Sequence, residues 1–433
     1  MEQVTPPTVS FTRRNFLKTT AGVSVAAMVS SLGLNCAHAA GSDLIRVGLV
    51  GCGGRGRGAA VDCVDSSKNV KLLAMGDIFQ DQLDEAAKFF GTQPKEKYDV
   101  PKEKCFVGWD AYQKVLATDI DYVILATPPG FRPMMIDAAI KAGKHVFAEK
   151  PIAVDPTGVR MIIAAGAEAE KKGLGLVVGT QRRHNPAYVE SIKRIKDGAI
   201  GKVVAGQVYW TQGGAWVKER KPEWTDMEWQ LRNWMYFTWL AGDHIVEQHM
   251  HQHDIANWVI GERPKQCVAV GGRQVRTDPA YGHIYDHFAV DYEYPNGARV
   301  TSICRQTDGC YNRVGENFIG TKGSAIPESK IIDEAGKNIW KYEAPEDAEV
   351  NPYVLEHADL IASIRAGKPL NEAKTAAEST LTAIMGRIAA YSGQVVRWTD
   401  AMNSKLDLMP KELKFGPIAT PPVAMPAKGT WPV

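Results

Sequence analysis

Four groups of residues in this chain of 433 have types and spacings suited to chemistry, and the first is a glycine loop. Gly51-Cys52-Gly53-Gly54-Arg55-Gly56 has Gly-x-Gly-x-x-Gly spacing and follows the short, β-branched, apolar run 45–50, which reads as a buried parallel strand. In such a loop the first glycine allows a tight turn, the second lets backbone amides approach a pyrophosphate, and the third lets the next helix pack on the strand. Asp77 ends a second apolar run about 20 residues farther on, where a carboxylate accepts hydrogen bonds from an adenosine ribose and repels a 2′-phosphate. Strand, loop and acid together read as a nicotinamide dinucleotide site, with NAD favoured over NADP.

The second group, Glu149-Lys150-Pro151, follows the apolar run 145–148. Proline fixes the chain direction there, and a buried lysine beside the nicotinamide can donate a proton or hydrogen bond to a substrate oxygen; the alternative is a surface lysine paired with Glu149. The third group is a cluster: four of the ten histidines, His244, His249, His251 and His253, surround Glu247. Glu247 and His251 are four apart, as are His249 and His253, so on a helix each pair shares a face and could ligate a metal. No His-Glu-x-x-His spacing occurs and the segment is expected to span a loop-to-helix junction, so the favoured reading has no metal and a single catalytic histidine. The fourth group is tryptophan, with seven of eleven between 209 and 258. Most are expected in a core or a subunit interface, but Trp216 and Trp224 share a polar loop with Lys218, Glu219, Arg220 and Lys221, where packing alone does not require an indole and at least one ring is a candidate to stack on the C–H face of a sugar.

These groups need a scaffold. Apolar runs at 45–50, 70–74, 122–126, 145–148 and 175–178 alternate with helical stretches, the pattern of a doubly wound α/β parallel sheet with helices on both faces. The loop Thr127-Pro128-Pro129-Gly130-Phe131-Arg132 then falls at the carboxyl edge of the sheet, where ligands of such folds sit. Beyond a helix at 186–197 the period changes: longer strands at 203–211, 266–271, 286–294 and 299–306 alternate polar with apolar residues, and Pro295-Asn296-Gly297 signals a hairpin. A second, α+β domain with a large, mostly antiparallel sheet is expected, closed by helices at 352–366 and 372–392. The boundaries read as 40–179 for the dinucleotide domain, 180–414 for a substrate and oligomerisation domain, and 415–433 for a proline-rich extended arm on its own or a neighbouring subunit.

The first 39 residues carry Arg13-Arg14 before Phe16-Leu17-Lys18, then a moderately apolar stretch at 21–34 and Ala37-His38-Ala39, which together look like a twin-arginine signal peptide with its cleavage site. The apolar stretch is too short for a membrane span, so a soluble, exported, periplasmic protein is expected. Cys36 raises a lipoprotein alternative, but Asn35 before it fits poorly. Such signals export proteins already folded, often with a cofactor inside. Removing 1–39 takes away Glu2 and Arg13, Arg14 and Lys18, a net of two positive charges, and so reduces the formal charge from +2 to zero. With basic and acidic residues evenly mixed, nucleic acid is excluded as a partner. The remaining cysteines lack Cys-x-x-Cys spacing; Cys304 and Cys310 are the one pair close enough in sequence to consider bridging.

Glu149-Lys150-Pro151 after the fifth strand, with the glycine loop at the first, resembles the glucose-fructose oxidoreductase / inositol dehydrogenase / MocA (Gfo/Idh/MocA) family, and Gly179-Thr-Gln-Arg-Arg-His, Gly320-Thr-Lys-Gly and Gly367-Lys-Pro-Leu-Asn-Glu follow in family order. The resemblance implies a Rossmann domain followed by an open-faced sheet, Lys150 and His251 as catalytic residues, and Glu247, usually Asp in relatives, as the preceding acid that orients the imidazole. Cofactor contacts are expected from Gly51, Gly53, Gly54, Arg55, Gly56, Asp77, Thr127, Pro128, Glu149, Lys150 and Gln181, and substrate contacts from Arg183, His249, Asp254 and Trp216. The expected activity is hydride transfer from a sugar, cyclitol or related polyol to tightly bound NAD, in a homo-dimer or tetramer. The alternative is a redox-neutral glycoside hydrolase that oxidises, eliminates, adds water and reduces on one NAD; a cofactor-holding binding protein is a third class.

Overall fold

The computed structural model describes residues 43–344 and 351–427. The signal-peptide segment, Cys36 and the last proline of the arm lie outside them. Strands β1 (Ile45–Val50), β2 (Val70–Asp77), β3 (Cys105–Val107), β4 (Tyr122–Leu125), β5 (His145–Ala148) and β6 (Leu176–Val178) form a six-stranded sheet in the order β3-β2-β1-β4-β5-β6. Every pairing is parallel. Strand order reverses between β1 and β4, so the loops leaving these two strands border a crevice. The near-continuous apolar runs of the sequence are explained by burial on both faces: Val47, Leu49 and Ile124 pack toward one helix layer, Val50, Val123 and Leu125 toward the other.

The second sheet has nine strands, β7 (Val203–Gln212), β8 (Gln266–Gly272), β9 (His287–Glu293), β10 (Arg299–Gln306), β11 (Arg313–Gly320), β12 (Gly323–Ile326), β13 (Lys330–Asp333), β14 (Asn338–Lys341) and β15 (Val396–Arg397), ordered β14-β13-β12-β11-β7-β10-β9-β8-β15. All pairs are antiparallel except β7 with β10. The predicted hairpin joins β9 to β10: Gly297 adopts φ +87° and Asn296 Oδ1 accepts from the Ala298 amide at 2.9 Å. Alternation along β9 buries Phe288, Val290 and Tyr292 against the helices and leaves the other face partly exposed.

Two expectations need correction. The late helices Pro352–Arg365 and Ala373–Ser392 do not close the second sheet alone. Leu360, Ile361 and Ile364 of the first pack with Ala59, Ala60 and Cys63 of the glycine-loop helix Gly54–Ser66, and the second lies on both the helix Pro156–Lys172 and β8. Cys304 and Cys310 are not bridged: one is buried, the other exposed, and all six described cysteines are free thiols. The arm, as far as residue 427, lies on its own chain, with Ile418, Val423 and Ala424 packed on the core.

Candidate active site

A cleft of about 1080 Å³ runs along the carboxyl edge of the first sheet. Its floor is the glycine loop. Gly51 adopts φ +93°, and a Cβ on Gly56 would stand 1.8 Å from the Gly51 carbonyl oxygen, so only glycine permits this approach of helix to strand. No side chain caps the helix Gly54–Ser66 and its first turn holds no acid, which leaves its amides for an anion. Asp77, at the end of β2, is buried and accepts from the amides of Cys52 at 2.6 Å and Phe79 at 2.9 Å, tying the loop to the acid. Gly53, Gly54, Arg55, Thr127, Pro128, Glu149 and Gln181 all line the same cleft. A dinucleotide with its pyrophosphate on the loop and a ribose at Asp77 fits this cradle. Asp77→Ala is therefore expected to weaken NAD by roughly ten- to a hundredfold and to narrow its advantage over NADP; isothermal titration with both nucleotides tests this, and unchanged affinity would mean another residue holds the ribose.

Lys150 leaves β5 and reaches the segment 244–251. Its Nζ donates to the Glu247 backbone oxygen at 2.5 Å and to Glu247 Oε1 at 3.0 Å. The acid expected to orient the imidazole thus orients the amine. Glu149 turns the other way and accepts from Arg55 Nε at 2.5 Å, so the reading of Lys150 as paired with Glu149 fails. His251, 6% exposed, also lines the cleft, its ring stacked on Trp210 with centroids 5.8 Å apart and planes at 18°. Burial, reinforced by the Lys150 ammonium, holds the His251 imidazole well below its usual pKa. It is therefore a neutral base at ordinary pH.

The remaining histidines serve the core. Glu247 ends one short helix, His244–Glu247, and His251 lies in the next, Met250–Ile260, so the four-residue spacing does not place them on one face. His249 and His253 do share a face, but both Nε2 atoms meet Ser302 Oγ of β10, at 2.8 and 2.9 Å. Among the described residues no three His, Cys, Asp or Glu side chains come together as a metal site. Arg183 and Asp254 do not line the cleft: they form a forked ion pair at 2.8 to 3.1 Å, with Ser379 on the acid and Trp258 under the guanidinium. His249 does not line it either.

Trp216 does line the cleft, and so do Trp210, Trp224 and Trp234, while Trp229 and Trp239 are core residues. Sequence reasoning missed Arg132, which closes the loop 127–132: it is 4% exposed, lines the cleft and donates to the Pro151 carbonyl at 2.6 Å, fixing the backbone next to Lys150. Gln248 and Tyr353 were missed as well; the latter receives Gln181 Nε2 at 3.1 Å and lies under the Arg55 guanidinium. Only Arg132 carried a signal, its place at the end of a loop on the ligand edge.

Comparison with known proteins agrees with this geometry. Residues 45–180 match the oxidoreductase family with an NAD-binding Rossmann fold, Gfo/Idh/MocA, and 188–326 match the C-terminal domain of the same family. An inositol 2-dehydrogenase of Rhizobium meliloti (strain 1021) is 27% identical over 290 residues, 66% of this chain and 76% of the relative. A scyllo-inositol 2-dehydrogenase (NAD(+)) of Bacillus subtilis (strain 168) is 26% identical over 284 residues, 65% and 72% of the two chains. A levoglucosan dehydrogenase solved with NADH and levoglucosan shares the fold with a TM-score of 0.64 at 18% identity, covering 82% of this chain and 99% of that one. With glycine loop, Asp77, Lys150 and His251 gathered in one cleft and both family domains matched, the chain belongs to the Gfo/Idh/MocA family of NAD-binding oxidoreductases.

Proposed function

We propose that this protein oxidises a secondary hydroxyl of a cyclitol or sugar, and the observation that carries the reading is the convergence of Lys150, Glu247 and His251 at one end of a dinucleotide cleft walled by Trp210, Trp216 and Trp234. Bound NAD supplies a nicotinamide ring that accepts hydride. His251, neutral, takes the hydroxyl proton. Lys150 has three N–H donors; two are held by Glu247, which leaves the third for the substrate oxygen as negative charge grows on it. The indole rings offer faces to the C–H side of a polyol ring. Both relatives named above are inositol 2-dehydrogenases, which supports a cyclitol or sugar here.

Steady-state assay of inositols, aldoses and glycosides, with products identified by mass spectrometry, tests the proposal. A ketone formed from a secondary alcohol supports it; aglycone released with no net reduction of NAD would replace it by the redox-neutral hydrolase. The pH profile gives a further check. A base whose folded-state pKa is depressed stays neutral as pH falls through 6.5, so the acid limb of kcat/KM is expected well below that ordinary value. A limb at or above 6.5 would show that His251 is not the base.

Export is part of the proposal, supported by Arg13-Arg14 ahead of the apolar stretch 21–34; Arg13→Lys with Arg14→Lys should retain the protein in the cytoplasm. So is a homo-oligomer. The face of the second sheet away from the helices carries a row in register across five strands, Val270, Ala289, Ile303, Tyr209 and Gly315, and Val270 is 69% exposed. Among the described residues no helix is long and apolar enough to cross a membrane.

A further inference from the structure

The adenosine end of the cleft is roofed. Phe79, Asp81, Gln82 and Trp109 line it just beyond Asp77, and residues from far along the chain line it opposite them: Trp224, Arg232 and Leu413. Arg232, the last residue of the helix Asp226–Arg232, forks onto both Asp81 oxygens at 2.9 and 3.1 Å. Its guanidinium also lies 3.9 Å from the centre of the Phe79 ring and 5.0 Å from that of Trp224. Phe415, two residues past Leu413, brings its ring to 6.2 Å from Phe79 and 5.3 Å from Trp109. These two pieces are joined: the Met227 amide donates to the Gly416 carbonyl at 3.1 Å. The segment is fixed on either side, by the Leu408 amide on Asp155 at 2.8 Å and by Tyr285 Oη on the Ala424 carbonyl at 2.9 Å.

We infer that Arg232 and Phe415 are cofactor-retaining residues: they clamp the roof onto Phe79, Asp81 and Trp109, and NAD leaves only when the Arg232–Asp81 fork opens and Phe415 withdraws. The inference rests on NAD binding and not on the identity of the substrate. Each contact is modest, since Asp81 is about half exposed and a solvated ion pair, a cation–π contact and an aromatic pair are each weak. They act in series on one event, so together they slow release more than any one of them. Contacts of this kind affect the dissociation rate above all, because they must break before the ligand can leave.

The test uses holoenzyme loaded with isotopically labelled NAD, isolated by gel filtration and chased with unlabelled NAD. Wild type is expected to keep its label through isolation. Arg232→Ala with Phe415→Ala should release it roughly ten- to a hundredfold faster, and Asp81→Asn alone should give an intermediate rate. Nicotinamide mononucleotide, which lacks the adenosine half, should bind wild type and variants alike. A double variant that unfolds normally on heating yet releases NAD at the wild-type rate overturns the inference. If the double variant does not fold, Asp81→Asn decides, and a wild-type release rate there overturns it equally.

Discussion

Lys150→Met is expected to lower kcat by roughly 10²–10³-fold while NAD stays bound. The reason is specific to the contacts of this amine. It lines the cleft, is tied by two hydrogen bonds to Glu247, and has its third donor left for the substrate. Methionine keeps the apolar stem but removes the charge and all donors, so the loss falls on the step in which the substrate oxygen becomes negative. Glu247→Gln should cost less, because an amide oxygen still accepts from Lys150 and the backbone bond remains. Rapid-quench measurement of a single turnover, with NAD content quantified in the same sample, separates chemistry from cofactor loss. A wild-type rate in Lys150→Met would remove the lysine from the mechanism, and loss of NAD would make its role structural.

Gly56→Val should fail earlier, at cofactor binding. A Cβ there meets the Gly51 carbonyl oxygen at 1.8 Å and the Ala126 side chain at 3.3 Å, so helix and loop must separate. Overpacking of this kind costs on the order of 1–3 kcal/mol, and because the displaced atoms are the pyrophosphate cradle itself, NAD affinity should fall by roughly ten- to a hundredfold. Fluorescence titration with NADH and a thermal melt check this together. Gly91→Ala is the internal control: it lies outside the cleft, its Cβ points into open space, and it should change little. Equal NAD affinity in Gly56→Val and wild type would mean that the nucleotide does not sit on this loop.

The parts of the site legible in the sequence were those set by local covalent geometry. A glycine loop after an apolar strand and an acid at the end of the next strand depend on short stretches, and the parallel order of β1, β2, β4, β5 and β6 follows from the alternation of runs with helices. What was illegible was set by pairing at long range. Glu247 could have served His251 from four residues away, yet it meets Lys150, 97 positions distant. Arg183 and Asp254 satisfy each other across 71 positions, and two histidines converge on Ser302 of a strand that the local pattern cannot aim at them. The strands β12, β13 and β14 escaped notice because each has only four residues, too few to show a period of two. The roof over the adenosine end was invisible because its contacts are also long-range: Phe415 opens the segment read as a proline-rich arm and Arg232 ends a helix of only seven residues, and only the fold brings them to Asp81 and Phe79.

The central claim is that this cleft transfers hydride from a cyclitol or sugar to NAD. It is tested most directly by mixing NAD-loaded protein with inositols and simple sugars in stoichiometric amounts and following the absorbance band of reduced nicotinamide. The band should rise to one equivalent per active site with at least one cyclitol or sugar, and should not rise in Lys150→Met carrying the same amount of NAD. No reduction with any of these substrates, by protein shown to hold NAD, would contradict the account.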